Sequence, residues 1–172
     1  MSNPNNLRAV FEQERRLAEH CFSHGQIVRA LPHFRRALLV CPDSHKMQLR
    51  IGQCLDRLGK CDEAYEVYRR IFSQGIARCE SSLQCEILQA YTNLCHKLSK
   101  ELEVIDCFKS HSGLVEQTPA LFYNLGLAFY KCRRFSEARD CFTRLKAVHS
   151  RHAAGYIGQA ILYCHFGQLE NA

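Results

Sequence analysis

Gly25-Gln26-Ile27-Val28-Arg29-Ala30-Leu31-Pro32-His33-Phe34 is answered 34 positions later by Gly59-Lys60-Cys61-Asp62-Glu63-Ala64-Tyr65-Glu66-Val67-Tyr68. Glycine falls on glycine, Ala30 on Ala64, and the ring of Phe34 on that of Tyr68. A fixed period of this length means one small supersecondary unit copied along the chain, and such a unit buries its apolar face only by stacking on its neighbours. The period points to binding rather than to chemistry, and it leaves the partner unnamed.

Working outward, Val, Ile and Thr nowhere alternate with polar residues over a useful length. None of the four prolines and nine glycines is read as lying inside an apolar helical pattern, so the chain is expected to be all-α. The spacing predicts nine helices, over Leu7 to Ser23, Ile27 to Cys41, His45 to Leu58, Cys61 to Ser73, Ser82 to Leu98, Glu101 to Ser110, Pro119 to Tyr130, Phe135 to Val148 and Ala153 to Phe166. Boundary chemistry agrees with these limits. Thr118-Pro119 offers an N-cap acceptor followed by a proline at the first helical position. Ser81-Ser82-Leu83-Gln84 has capping-box spacing. Pro42 disfavours helical dihedrals at Cys41, and Gly25, Gly59 and Gly167 each follow a helical run, where a left-handed residue costs least.

With 172 residues, 47% apolar and 23% charged, the composition is that of an ordinary globular protein. The opening Met1-Ser2-Asn3-Pro4-Asn5-Asn6 lacks the basic and apolar blocks of a secretory signal, and no apolar run approaches the roughly 18 residues of a membrane span. The 11 cysteines are odd in number, scattered and without a C-x-x-C pair, and most fall where a helix wants a small apolar side chain. They read as reduced packing residues, which points to the cytoplasm, with the nucleus or a cilium as alternatives. The net charge of +6 favours acidic partners, but no dense basic stripe or motif indicates nucleic acid.

Laid in register, the helices resemble the tetratricopeptide repeat, a helix–turn–helix with the pattern W-x2-L-G-x2-Y, then A-x3-F, then P. Phe122-x2-Leu125-Gly126-x2-Phe129 and Ala138-x3-Phe142 carry it best. Leu17-Ala18, Cys21, Gly25, Ala30-x3-Phe34, Ala37 and Pro42 supply a first unit, and Ile51-Gly52, Leu55, Gly59, Ala64-x3-Tyr68 and Ile71 a second. The resemblance implies a right-handed α-solenoid of stacked antiparallel hairpins, with units at about 11–44, 45–78, 85–118 and 119–152 and a partial one at 153–172, after a polar segment 1–10. In the third unit Leu88, Tyr91, Cys95, Val104 and Phe108 keep the spacing, but Thr92 replaces the small residue and His111 stands where a small apolar one belongs. The extra stretch Cys79 to Gln84 predicts a longer first helix there. Tyr156, Ala160, Tyr163, Gly167 and Ala172 begin a fifth unit whose second helix is only started. Either the chain is a piece of a longer array, or that end is closed by self-association.

The family lines a concave groove with the first helix of each unit. Carried over, those positions are Glu12, Arg15, Glu19 and Phe22; Lys46, Leu49, Gln53 and Asp56; Glu86, Gln89, Asn93 and His96; Ala120, Tyr123, Leu127 and Tyr130; and Ala154, Ile157, Ile161 and Cys164. The groove is expected to be charged early and apolar late, suiting a partner's amphipathic helix or aliphatic peptide, with Tyr123 and Tyr130 as anchors and Leu127, Ile157, Ile161, Asn93, Asn124 and Gln53 around them. Some relatives clamp the free carboxylate of a chaperone tail. Asn93 and Asn124 match two of those places, but Gln89, Ala154 and Gly158 occupy the cationic ones, which argues against that partner. On the opposite, convex face Arg36, Arg70 and Arg144 share one register position and Arg35, Arg69 and Lys109 the one before, a candidate patch for an acidic partner.

No G-x-G-x-x-G, P-loop, G-x-S-x-G or H-E-x-x-H occurs, so no enzyme or cofactor is indicated. His20 and His24, with Cys21 beside them, share a helix face but lack the further ligands of a structural zinc site. The expected function is a protein-interaction scaffold. Alternatives are a dimeric secretion chaperone of the class II type-three kind, built from the same repeats, and a ribonucleoprotein subunit using the arginine patch.

Overall fold

A computed structural model describes residues 4–167. Every regular element in that range is helical: α1 (Pro4–Ser23), α2 (Ile27–Val40), α3 (His45–Arg57), α4 (Cys61–Gln74), α5 (Ser81–Lys97), α6 (Glu101–Ser110), α7 (Ser112–Gln117), α8 (Pro119–Lys131), α9 (Phe135–Val148) and α10 (Ala153–His165). The chain forms two compact units that divide within α5, between Ala90 and Tyr91.

In the first unit α1 packs on α2, α2 on α3, and α3 on α4. The core is built from small residues that let helices approach and rings that fill the space left. Ala18, Ala30, Ala37 and Ala64 are fully buried, as are Phe34 and Tyr68. A Cβ on Gly52 of α3 would stand 2.6 Å from the Tyr68 ring, so only glycine fits there. In the second unit α8 packs against α6, α7, α9 and α10, and α9 against α10. There the buried Phe142 ring lies in a slot walled by Gly126 of α8 and Gly158 of α10.

Gly25, Gly59, Ser99 and Arg133 each close a turn between a first and a second helix in the left-handed region, and Gly167 adopts it after α10, with φ of 73°, 76°, 56°, 60° and 70°. Their spacing is the repeat period throughout, lengthened only between Gly59 and Ser99, where the turn before α5 and α5 itself share the extra residues. The expected long first helix is present: α5 has 17 residues against 13 in α3, α8 and α10.

Several expectations need correction. Pro32 lies inside α2, with its ring exposed, and Gly52, Gly126 and Gly158 lie inside α3, α8 and α10, contrary to the reading that no proline or glycine falls within a helical pattern. The segment after His111 forms the short α7, unforeseen because Gly113 and its brevity hide any periodicity. Thr118 is the N-cap of α8 with Pro119 behind it, but its side chain makes no capping bond. Gln84 completes no capping box. Its amide donates instead to the carbonyl of Cys79 at 2.7 Å, pinning the inserted turn. Ser44 caps α3, accepting from the Met47 N–H. Ala172, the last residue of the expected fifth unit, lies outside the described residues.

Candidate functional site

In the second unit, α8 and α10 bring the later groove positions to neighbouring helices. Tyr123, Leu127 and Tyr130 are half-buried, Ile161 likewise, and Ile157 is 51% exposed. The Tyr123 ring packs on Phe142 at 5.8 Å, and burial pushes its phenol up from the usual value. Tyr130 meets Phe135 and His165 edge-on at 5.8 and 5.5 Å, and its hydroxyl lies 3.1 Å from His165 Nδ1. Both rings are therefore fixed in rotamer by the helices behind them.

The asparagines are placed differently. Asn124 is 6% exposed, and its amide donates to Thr92 Oγ1 at 3.0 Å and to Asn93 Oδ1 at 2.9 Å. Thr92, the misfit of the third unit, is the reason: it puts a hydroxyl where the other units place glycine or alanine, and Asn124 satisfies it. Asn93 is exposed but held in the same network. His96 continues this seam, donating through Nε2 to the Asn124 carbonyl at 3.2 Å, with Glu101 3.8 Å from its Nδ1. Burial, and then the nearby Lys131 charge, lower the His96 pKa. Lys131 in turn donates to Glu101 and to the His96 carbonyl, both at 3.0 Å.

In the first unit, Gln53 is half-buried and accepts from Arg50 at 2.8 Å. Arg50 also lies 3.3 Å from Glu19 and 3.6 Å from Glu86, and stacks with Arg57 over the Phe22 ring. Four of the expected groove positions are thus tied together by an arginine that the groove register passes over. Only the count of nearby carboxylates in register, Glu19 and Glu86, hinted at it. Leu49 and Ala154, also expected to face a groove, are core residues at 0% and 8% exposure.

Most of the expected arginine patch is engaged by the chain's own carboxylates. Arg36 pairs with Glu14 at 3.1 Å, Arg69 with Glu66 at 3.2 Å and Arg144 with Glu116 at 2.6 Å, while Arg35 reaches Glu63 only at 3.9 Å. Arg70 has no ion pair among the described residues. Two cavities lie at this register, one in each unit. The first, of about 570 Å³, is lined by Arg35, Leu38, Leu39, Pro42 and Arg70 among others; the second, of about 320 Å³, by Lys109, Glu116, Phe122 and Arg144 among others. Neither involves the α8 and α10 anchors. Among the described residues no three His, Cys, Asp or Glu side chains converge to hold a metal, and His24 Nδ1 is occupied by the His20 carbonyl at 2.8 Å. No described helix is long and apolar enough to cross a membrane.

Residues 15–75 match the tetratricopeptide repeat family model. No curated protein matches the chain. Among solved structures, MamA (residues 41 to end) from Desulfovibrio magneticus RS-1 superposes with a TM-score of 0.80 at 10% identity, covering 94% of this chain and 88% of that one. A tetratricopeptide repeat protein from Parabacteroides merdae ATCC 43184 gives 0.77 at 18% identity, over 93% of this chain and 61% of its own. YrrB, described as a TPR protein with an unusual peptide-binding site, gives 0.69 at 15%, over 87% and 74%. The family model thus covers the first two hairpins, and the solved structures share the tetratricopeptide-repeat fold over nearly the whole chain.

Proposed function

We propose that the protein is a non-catalytic scaffold that binds a peptide or helix of a partner protein through the α8 and α10 face of its second unit. Tetratricopeptide repeats are in general interaction modules, and the carrying observation is local. Ile157 stands 51% exposed beside half-buried Ile161 on α10, and α8 next to it presents Leu127 and Tyr130. Rigid aromatic and aliphatic side chains of this kind suit the apolar face of an amphipathic segment. All 11 thiols are free, which supports a cytoplasmic setting.

The test is affinity capture from cell extract with the full chain, comparing the native protein with Ile157→Asp and Tyr130→Ala. Ile157 is exposed, so Ile157→Asp is expected to keep the melting temperature while losing the partner. A partner retained by both variants, each shown to be folded by circular dichroism, would overturn this reading.

A further inference from the structure

The two cavities between second helices occupy the same register, and the difference between them identifies what the first one lacks. Arg35 corresponds to Lys109, Pro42 to Glu116, Gln48 to Phe122 and Arg70 to Arg144, each pair 74 positions apart. Both members of each pair line their respective cavities. In the second unit the chain supplies the acidic partner itself. Val115 is buried against the apolar wall, and Glu116 places its carboxylate 2.6 Å from the Arg144 guanidinium. Lys109 is paired as well, with Asp106 at 3.2 Å.

In the first unit Cys41-Pro42 stands in place of Val115-Glu116. Proline brings no carboxylate, so Arg70 has no ion pair among the described residues, and Arg35 has only a loose one. Asp43 lines the cavity but pairs with neither arginine, which leaves its charged groups net positive. The wall is aliphatic, from Leu38, Leu39 and Pro42, and Leu39 is 81% exposed.

We propose that this cavity between α2 and α4 binds a partner protein's short segment in which an aliphatic residue is followed by Glu or Asp, the external counterpart of Val115-Glu116. The aliphatic side chain lies on Leu38 and Leu39, and the carboxylate accepts hydrogen bonds from Arg70, with Arg35 at the rim. Nucleic acid fits less well. Phosphates satisfy the arginines but leave the leucines uncovered, and no aromatic ring lines the cavity on which a base can stack.

The experiment titrates the isotope-labelled full chain with an acetylated peptide of residues 110–118, which carries Val115-Glu116, and follows backbone amide shifts. Saturable shifts centred on Leu38, Leu39 and Arg70 are expected. Arg70→Gln in the protein, or Glu116→Gln in the peptide, is expected to weaken binding about tenfold, as loss of a charge-assisted pair does. Pro42→Glu is expected to weaken it as well, because the introduced carboxylate takes Arg70 internally. Arg70 and Pro42 are exposed, so these variants keep the fold, and unchanged shifts of the first unit's amides away from the cavity verify it. Equal binding by the Glu116→Gln peptide overturns the proposal, as does displacement of the same amides by oligouridylate but not by the peptide. The site is independent of the α8 and α10 face: Ile157→Asp is expected to bind the peptide normally.

Discussion

Phe142 and Tyr68 are held in place by side chains that are missing opposite them. At Gly52, alanine would raise intrinsic helix propensity by about 1 kcal/mol, but its Cβ would lie 2.6 Å from the fully packed Tyr68 ring. Overpacking of this kind costs about 1–3 kcal/mol, so packing outweighs propensity. Gly52→Ala is therefore expected to lower the urea midpoint, with Gly126→Ala doing the same through Phe142. A rise in midpoint would mean that the rings have room to move. A second residue with a defined effect is His96. Its pKa is lowered on folding, by burial first and by Lys131 next, against the opposing pull of Glu101. A base so placed stabilises the fold fully above its unfolded pKa of about 6.5, and that contribution is lost as pH falls below it, since the unfolded chain then binds more protons. Stability is expected to fall between about pH 7.5 and pH 5.5, above the range in which carboxylates such as Glu101 protonate. His96→Gln is expected to flatten that fall. An identical pH dependence in the variant would remove His96 as its cause.

Among the elements, α2 and α5 show where periodicity is a sufficient guide and where it is not. The apolar stripe of Ala30, Leu31, Phe34 and Ala37 was enough to place α2, and the buried residues are those four. The same stripe masked Pro32, because tertiary packing keeps a helix going where the local rule would end it. Pro32 forfeits the bond to the Val28 carbonyl and clashes with that turn, at about 3 kcal/mol, offset by about 0.4–1 kcal/mol from a stiffer unfolded chain. Its exposed ring adds no burial in return. Pro32→Ala is thus expected to stabilise the protein by about 2 kcal/mol, read as a higher urea midpoint at unchanged slope; an unchanged or lower midpoint would show a packing role for the ring. In α5 the irregularity was legible, since Thr92 broke the small-residue position. Its consequence was not. That Thr92 is satisfied by Asn124, 32 residues away, is a long-range pairing that no local pattern encodes. The exposed Asn assigned to a groove is for this reason a buried structural donor.

For the molecule as a whole, the repeat period carried the fold, because stacked hairpins bury the same register positions in each copy. The candidate surfaces were less legible, since they depend on which charge meets which. Arg70 and Arg144 are identical in register, and the proline or glutamate opposite decides which of them has an ion pair. The cysteines combine both lessons: their helical positions announced packing, and the structure sorts them by depth. Cys54 and Cys95 are fully buried and Cys141 nearly so, while Cys41 and Cys164 are exposed. Burial pushes the Cys54 thiol up to about 11 and those of Cys95, Cys141 and half-buried Cys107 to about 12, so these four hold their protons at neutral pH, and a thiolate is the reactive species. Reaction of the native full chain with a chromogenic disulfide at about pH 8 is expected to show a rapid phase from Cys41 and Cys164. A late phase containing Cys54, Cys95, Cys107 and Cys141 should appear only at the rate of unfolding and quicken with urea. If those four react in the first phase, mapped by mass spectrometry of the labelled peptides, the hairpins do not hold the packing that their repeat register specifies.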